Sequence, residues 1–151
     1  TLGDVSFDLQ RFSDAQAGVY EQALVELRAG RKQSHWMWFI FPQLRGLGRS
    51  ETSRFYGLDG LAEARAYLAD PVLGPRLRQS FEAVVAAPGT AEAILGAIDA
   101  MKLRSSATVF ARASPDDSLF RVVLARFFDG RPDPATDALL GGSQADSQAD
   151  T

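Results

Sequence analysis

Ser34-His35-Trp36-Met37-Trp38-Phe39-Ile40-Phe41-Pro42-Gln43 holds both tryptophans and the only histidine of a 151-residue chain. Its apolar residues are nearly continuous, so periodicity does not separate a buried strand from a short buried helix. Pro42 limits either one, because proline lacks an amide donor and fixes φ. The decision falls to the flanks, and the flanks are helical. The stretch therefore reads as a short buried helical turn leading into an extended Pro42-Gln43 segment. A buried aromatic side chain hides ~150–250 Å², so four of them this close together anchor a core or line a pocket.

Upstream, Ser13-Asp14-Ala15-Gln16 has the form of a capping box, followed by Val19, Tyr20, Ala23, Leu24 and Leu27. Their spacing of three and four predicts a helix that Gly30 ends. Downstream, Gly46, Gly48 and Gly57 mark a mobile connection carrying Arg45, Arg49, Arg54, Phe55 and Tyr56. A short helix is expected over 60–69. Asp70-Pro71 then opens another, whose Leu73, Leu77, Phe81, Val84 and Val85 form the cleanest apolar stripe. Thr90 caps a brief helix bearing Ile94 and Leu95, and Asp99 caps one from Ala100 to about Arg112. Ser114-Pro115-Asp116-Asp117 reads as a helix start, with Leu119, Phe120, Val123, Leu124, Phe127 and Phe128 as a wide buried face. Asp133-Pro134 begins a last short helix ending at Leu140. The expected fold is all-α: a single compact multihelical domain over residues 7–140. Residues 1–6 are read as a flexible lead, and 141–151, with their Ser-Gln-Ala-Asp repeat, as a disordered polar tail.

Composition narrows the function classes. Hydrophobic residues make up 46% and charged residues 23% of the chain, the balance of an ordinary globular protein. A net charge of −3 argues against non-specific binding to nucleic acid. Cysteine is absent, which excludes disulfides, thiolate catalysis and cysteine-held zinc. One histidine with no carboxylate cluster beside it gives no metal site, and no motif calls for a cofactor. No apolar run reaches the ~20 residues of a membrane span. The N-terminus lacks a basic start and an apolar signal core, so a cytoplasmic location is expected. Gly46-x-Gly48 lacks the strand and third glycine of a dinucleotide fingerprint, and Ser105-Ser106 has no nucleophile elbow.

Two places could carry chemistry. In the aromatic stretch, His35 can serve as acid, base or switch, Trp36 and Trp38 can stack a planar ring, and Gln43 can hydrogen-bond. Their bland counterparts are a structural histidine and core tryptophans. The second place is the helix from Ala100. Advancing ~100° per residue puts Leu103, Ala107, Phe110 and Ala111 on one core face, with Arg104 and Thr108 on one flank. Lys102 and Ser106 lie on the other flank, while Ser105 and Val109 point away. Lys102 and Arg104 are thus ~160° apart, and only one of them can serve a shared site. The other snorkels over the core or pairs with an acid.

Phe7-Asp8-Leu9-Gln10-Arg11-Phe12, the stretch Ser34 to Gln43, and Lys102-Leu103-Arg104-Ser105-Ser106-Ala107-Thr108-Val109-Phe110 closely resemble the domain-of-unknown-function 1810 family. Asp70-Pro71-Val72-Leu73-Gly74 and Arg76-Leu77 fall in the same order, extending the resemblance over about residues 7–140. It implies a small, mainly helical bacterial protein and transfers no catalytic role. The shared signatures at His35-Trp36, Phe41-Pro42-Gln43 and Lys102-x-Arg104-Ser105-Ser106 suit a common pocket or a common folding core.

Two functions follow as expectations. The first is a binding or enzymatic domain for a small anionic, ring-containing molecule, a nucleotide derivative being one example. A tryptophan would stack the ring, His35 would hydrogen-bond or move a proton, and Lys102 or Arg104, with Ser105 and Ser106 nearby, would hold the anion. The second is a non-enzymatic helical module for protein interaction. A cleft joining residues 35–43 to 102–108 favours the first, and a sealed core there favours the second.

Overall fold

The computed structural model describes the backbone of residues 7–149 and the side chains of residues 7–141. The expected N-terminal lead lies outside the described residues. Those that are described form ten helices and no strand, an all-α architecture. Helix α1 spans Gln10–Gln16, α2 Tyr20–Ala29, α3 Met37–Ile40, α4 Glu51–Tyr56 and α5 Leu61–Ala69. They are followed by α6 Leu73–Ala86, α7 Ala91–Leu95, α8 Ala97–Ala113, α9 Leu119–Phe128 and α10 Pro134–Ala149. Helix α10 continues past the Leu140 end expected from the sequence, through Gly141-Gly142 to Ala149. The expected tail falls mostly beyond the described side chains.

Helix α8 is the hub, packing against α5, α7, α9 and α10, while α6 joins α2, α5 and α9. The longest described helix is thereby buried almost continuously from Leu103 to Ala111, while its first turns stay open. Ser105 and Val109, expected to point away from the core, are 8% and 0% exposed. The angular reading assigned one buried face; the surrounding helices bury several. Helices α5 and α6 come so close that a Cβ at Gly74 would clash with the Leu68 carbonyl oxygen.

The ends of the elements explain several departures from the sequence reading. The expected capping box is interior to α1, which starts earlier, at Gln10. Gly18, with φ +73°, breaks the chain before α2. Helix α9 begins at Leu119, later than Ser-Pro-Asp-Asp suggests; Asp117 still caps locally, its Oδ1 accepting from Leu119 N at 3.0 Å. The glycine-marked connection contains α4, whose N-cap Ser50 accepts from Ser53 N. An isolated parallel bridge between Leu44 and Leu58 closes this excursion.

A buried ion pair fixes α1 to the same region. Arg11, 8% exposed, donates Nη1 to Glu63 Oε2 at 2.9 Å, Nε to Phe55 O at 2.7 Å and Nη2 to Gly57 O at 3.0 Å. The other oxygen of Glu63 accepts from Asp59 N at 2.8 Å. Both charges are therefore hydrogen-bonded as well as paired, the condition for holding ions inside a fold.

The core runs through Phe12, Tyr67, Phe110, Phe120, Phe81 and Phe41 in edge-on and tilted contacts. Phe127 and Phe128 were expected in the buried face of α9, yet only Phe120, Val123 and Leu124 are fully buried there. Phe127 and Phe128 are partly buried against the edge of the core, where Arg126 covers the Phe127 ring from 4.4 Å. Phe81→Ala should therefore cost about 3 kcal/mol, read as a lower urea midpoint, and Phe127→Ala distinctly less. Equal losses would show that burial does not set the difference.

Candidate functional site

Helix α2 ends at Gly30, whose φ of +75° turns the chain in the left-handed region that favours glycine. The loop beyond it is held from below by one carboxylate. Glu26, 3% exposed, accepts at Oε1 from Gln33 N (2.8 Å), Ser34 N (3.0 Å) and Trp36 Nε1 (2.9 Å). Its Oε2 accepts from Ser34 Oγ at 2.7 Å and Gln22 Nε2 at 2.9 Å. Burial pushes the Glu26 pKa up, but these donors together outweigh it and hold the carboxyl well below the usual carboxylate range. Lys32 N donates to Ile94 O at 2.7 Å, tying the loop to α7. From above, Gln16 Nε2 donates to Phe39 O at 2.8 Å and fixes α3.

This framing sets Lys32 against α8. Asp99, in the first turn of α8, takes Lys32 Nζ on Oδ2 at 3.0 Å and Lys102 Nζ on Oδ1 at 3.1 Å. Each ammonium also sits over an indole: Lys102 Nζ is 3.8 Å from the Trp38 ring centroid and Lys32 Nζ 5.3 Å from that of Trp36. A cation over a π face is attracted to its negative quadrupole. Two cations and one carboxylate leave a local excess of one positive charge.

Two clefts open here. The smaller, about 80 Å³, is lined by Lys32, His35, Trp36, Met37, Trp38, Asp99 and Lys102. The larger, about 250 Å³, has Leu47, Ile98, Met101 and Ala135 as apolar lining and Gln43, Ser105 and Asp133 as polar lining. Trp38 and Lys102 line both clefts.

The structure thus brings His35, Trp38 and Lys102 together, with Gln43 and Ser105 next door. Trp36 offers no open face for stacking: it is 1% exposed, with its indole N–H committed to Glu26. Arg104 lies on the other flank of α8, where it donates to Arg131 O and Pro132 O at 3.0 Å each and rests near the Phe128 ring. Ser106 is fully buried, lines neither cleft, and its Oγ has no partner. Ser105 Oγ donates to Asp133 Oδ2 at 2.9 Å and contacts Met101 O at 3.1 Å.

The sequence alone favours structural roles for Lys32 and Asp99. Asp99 was read as a helix cap, although its place three residues before Lys102 on a helix is the spacing of an ion pair. Arg31-Lys32 could bind phosphate by composition, but two basic residues at a helix end also meet its dipole favourably, and the acidic partner of Lys32 lies far along the chain. Among the described residues no three or more His, Asp or Glu side chains are grouped to hold a metal ion, and no helix is long and apolar enough to cross a membrane.

A family model described as "Protein of unknown function (DUF1810)" matches residues 6–140. The chain is also similar to a solved structure, the conserved hypothetical protein Rv1873 from Mycobacterium tuberculosis. The two share 50% sequence identity with a TM-score of 0.88, over 89% of this chain and 97% of that one. No curated protein matches the chain.

Proposed function

The chain belongs to the DUF1810 family, and from that premise we propose that it binds a small anionic, ring-containing molecule where the two clefts meet. What carries this reading is their shared wall of Trp38 and Lys102. An anion in the smaller cleft reaches two ammonium groups that have a single carboxylate between them, and the exposed His35 imidazole lines the same space. The ring occupies the larger cleft, whose mixed apolar and polar lining is the usual make-up of a ligand pocket. Excluding water there strengthens the charge interaction.

Thermal-shift measurements with a panel of nucleotides and phosphorylated metabolites test it, because a ligand that binds only the native state raises the melting temperature. At least one compound should stabilise the parent protein. Lys102→Met should weaken its binding about tenfold or more, corresponding to loss of one charge-assisted contact, while Arg104→Met should leave it unchanged. A panel without any stabilising compound, or equal binding by Lys102→Met, would sink the reading.

The second reading, a protein-interaction module, draws on Ile98 and Met101, which are 73% and 71% exposed one turn apart on α8. Exposed apolar pairs of this kind can serve a partner. Both residues also line the larger cleft, so a bound ring would cover them. Ile98→Ser with Met101→Ser separates the two: weaker ligand binding assigns the pair to the cleft, and unchanged affinity assigns it to a partner surface.

A further inference from the structure

Most polar groups around the larger cleft are committed within the protein. Lys102 is paired with Asp99, and Ser105 donates to Asp133. Asp133 Oδ2 also accepts from Thr136 Oγ1 at 2.6 Å and from Thr136 N at 3.2 Å. Gln43 differs. It is 8% exposed and lines the cleft, yet its carboxamide has no hydrogen-bond partner among the described residues.

Neither can Gln43 easily withdraw. It directly follows Pro42, and its backbone carbonyl accepts from Leu58 N at 2.9 Å beside the Leu44–Leu58 bridge. The carboxamide is not sealed in the core either. Among the described residues the one wholly enclosed side-chain polar atom without a partner is Ser106 Oγ. The Gln43 amide therefore opens on the cleft it lines, presenting donors and an acceptor side by side.

We infer that the ring held in the larger cleft carries an adjacent donor and acceptor that pair with the Gln43 carboxamide, as the edge of a nucleobase or a lactam does. This rests on the ligand-binding reading above and narrows it to nucleotide-type compounds over simple aryl anions. A hydrocarbon ring would strip water from the amide and return nothing, leaving a nearly buried polar group unmatched, which is costly. A complementary edge replaces that water with two hydrogen bonds in the same plane. Sites built around such a pair discriminate strongly against analogues that lack it. The surrounding Trp38, Leu47 and Met101 supply apolar contact that any ring would enjoy, so discrimination falls to Gln43.

The test compares adenosine, uridine and guanosine 5′-monophosphates with phenyl phosphate by titration calorimetry on the full chain, parent and Gln43→Met. At least one nucleotide should bind the parent about tenfold or more tightly than phenyl phosphate. Gln43→Met should lower that nucleotide's affinity about tenfold and leave phenyl phosphate unchanged, which also shows that the variant is folded. Equal binding of nucleotides and phenyl phosphate by the parent would overturn the inference and leave the anion-binding reading standing. So would equal losses for both compounds in Gln43→Met. If none of these compounds binds the parent, the inference fails; if, besides, nothing in the wider panel stabilises the protein, the ligand-binding reading fails with it.

Discussion

Glu26→Ala is expected to remove about 5 kcal/mol of stability, since hydrogen bonds to a charged group contribute roughly 1.5–3 kcal/mol each and are not additive. Five donors converge on this carboxylate. Water can reach some of them after the change, but the Trp36 indole N–H lies in a side chain that is 1% exposed. A loss of that size consumes much of a typical total of ~5–15 kcal/mol. Urea unfolding followed by far-ultraviolet circular dichroism reads it directly, and a loss under about 1 kcal/mol would contradict the role assigned to Glu26. The same group gives a pH dependence. Its folded pKa lies below the ordinary value, with burial opposing the shift and hydrogen bonds winning. Its contribution is therefore complete above the unfolded value of about 4.3 and is lost as pH falls from there toward the folded value. Glu26→Gln does not titrate, so its stability should fall less steeply than the parent's below about pH 4.3.

Arg11→Met should cost about 4 kcal/mol, within the range for breaking a buried ion pair from one side. The methionine fills part of the volume but leaves Glu63, 2% exposed, with its charge uncompensated. The carbonyls of Phe55 and Gly57 lose their donors as well. Glu63→Gln in the Arg11→Met background should recover part of the loss, because the stranded charge is gone. A double variant no more stable than Arg11→Met would show that the cost is packing, including the Arg11 contact with the Phe12 ring, and not electrostatics.

The extent to which these features could be read from the sequence depends on how local their causes are. Helices α6 and α7 were legible because a cap, an apolar stripe and a stop signal lie within one segment: Asp70 Oδ2 accepts from Leu73 N, and Thr90 Oγ1 accepts from Ala93 N. The opposite flanks of Lys102 and Arg104 follow from helical geometry alone. The short α3 turn before Pro42 was legible by exclusion, its neighbours all being helical. By contrast, Glu26 reads as a solvent-facing helix residue until the loop after Gly30 folds back onto it. Arg11 and Glu63 are 52 residues apart, and nothing local in either marks a buried pair. The same applies to the cleft: Lys32 and Asp99 meet only because the loop is stapled to α7. Helix α4 was missed because three glycines outweighed a six-residue segment whose cap, Ser50, is ordinary in composition.

The unequal placement of the two tryptophans gives the molecule a pair of built-in optical reporters. Trp36 is 1% exposed, so the solvent relaxation that drives indole emission to the red is largely denied to it. Trp38 is half-buried beneath an ammonium 3.8 Å from its ring centroid, a polar setting that shifts emission to the red and makes its intensity sensitive to the Lys102 position. Excitation at the red edge of the absorption band therefore selects the cleft, and the blue component follows the core. Occupancy of the larger cleft, which Trp38 lines and Trp36 does not, changes the first without the second, whereas unfolding moves both.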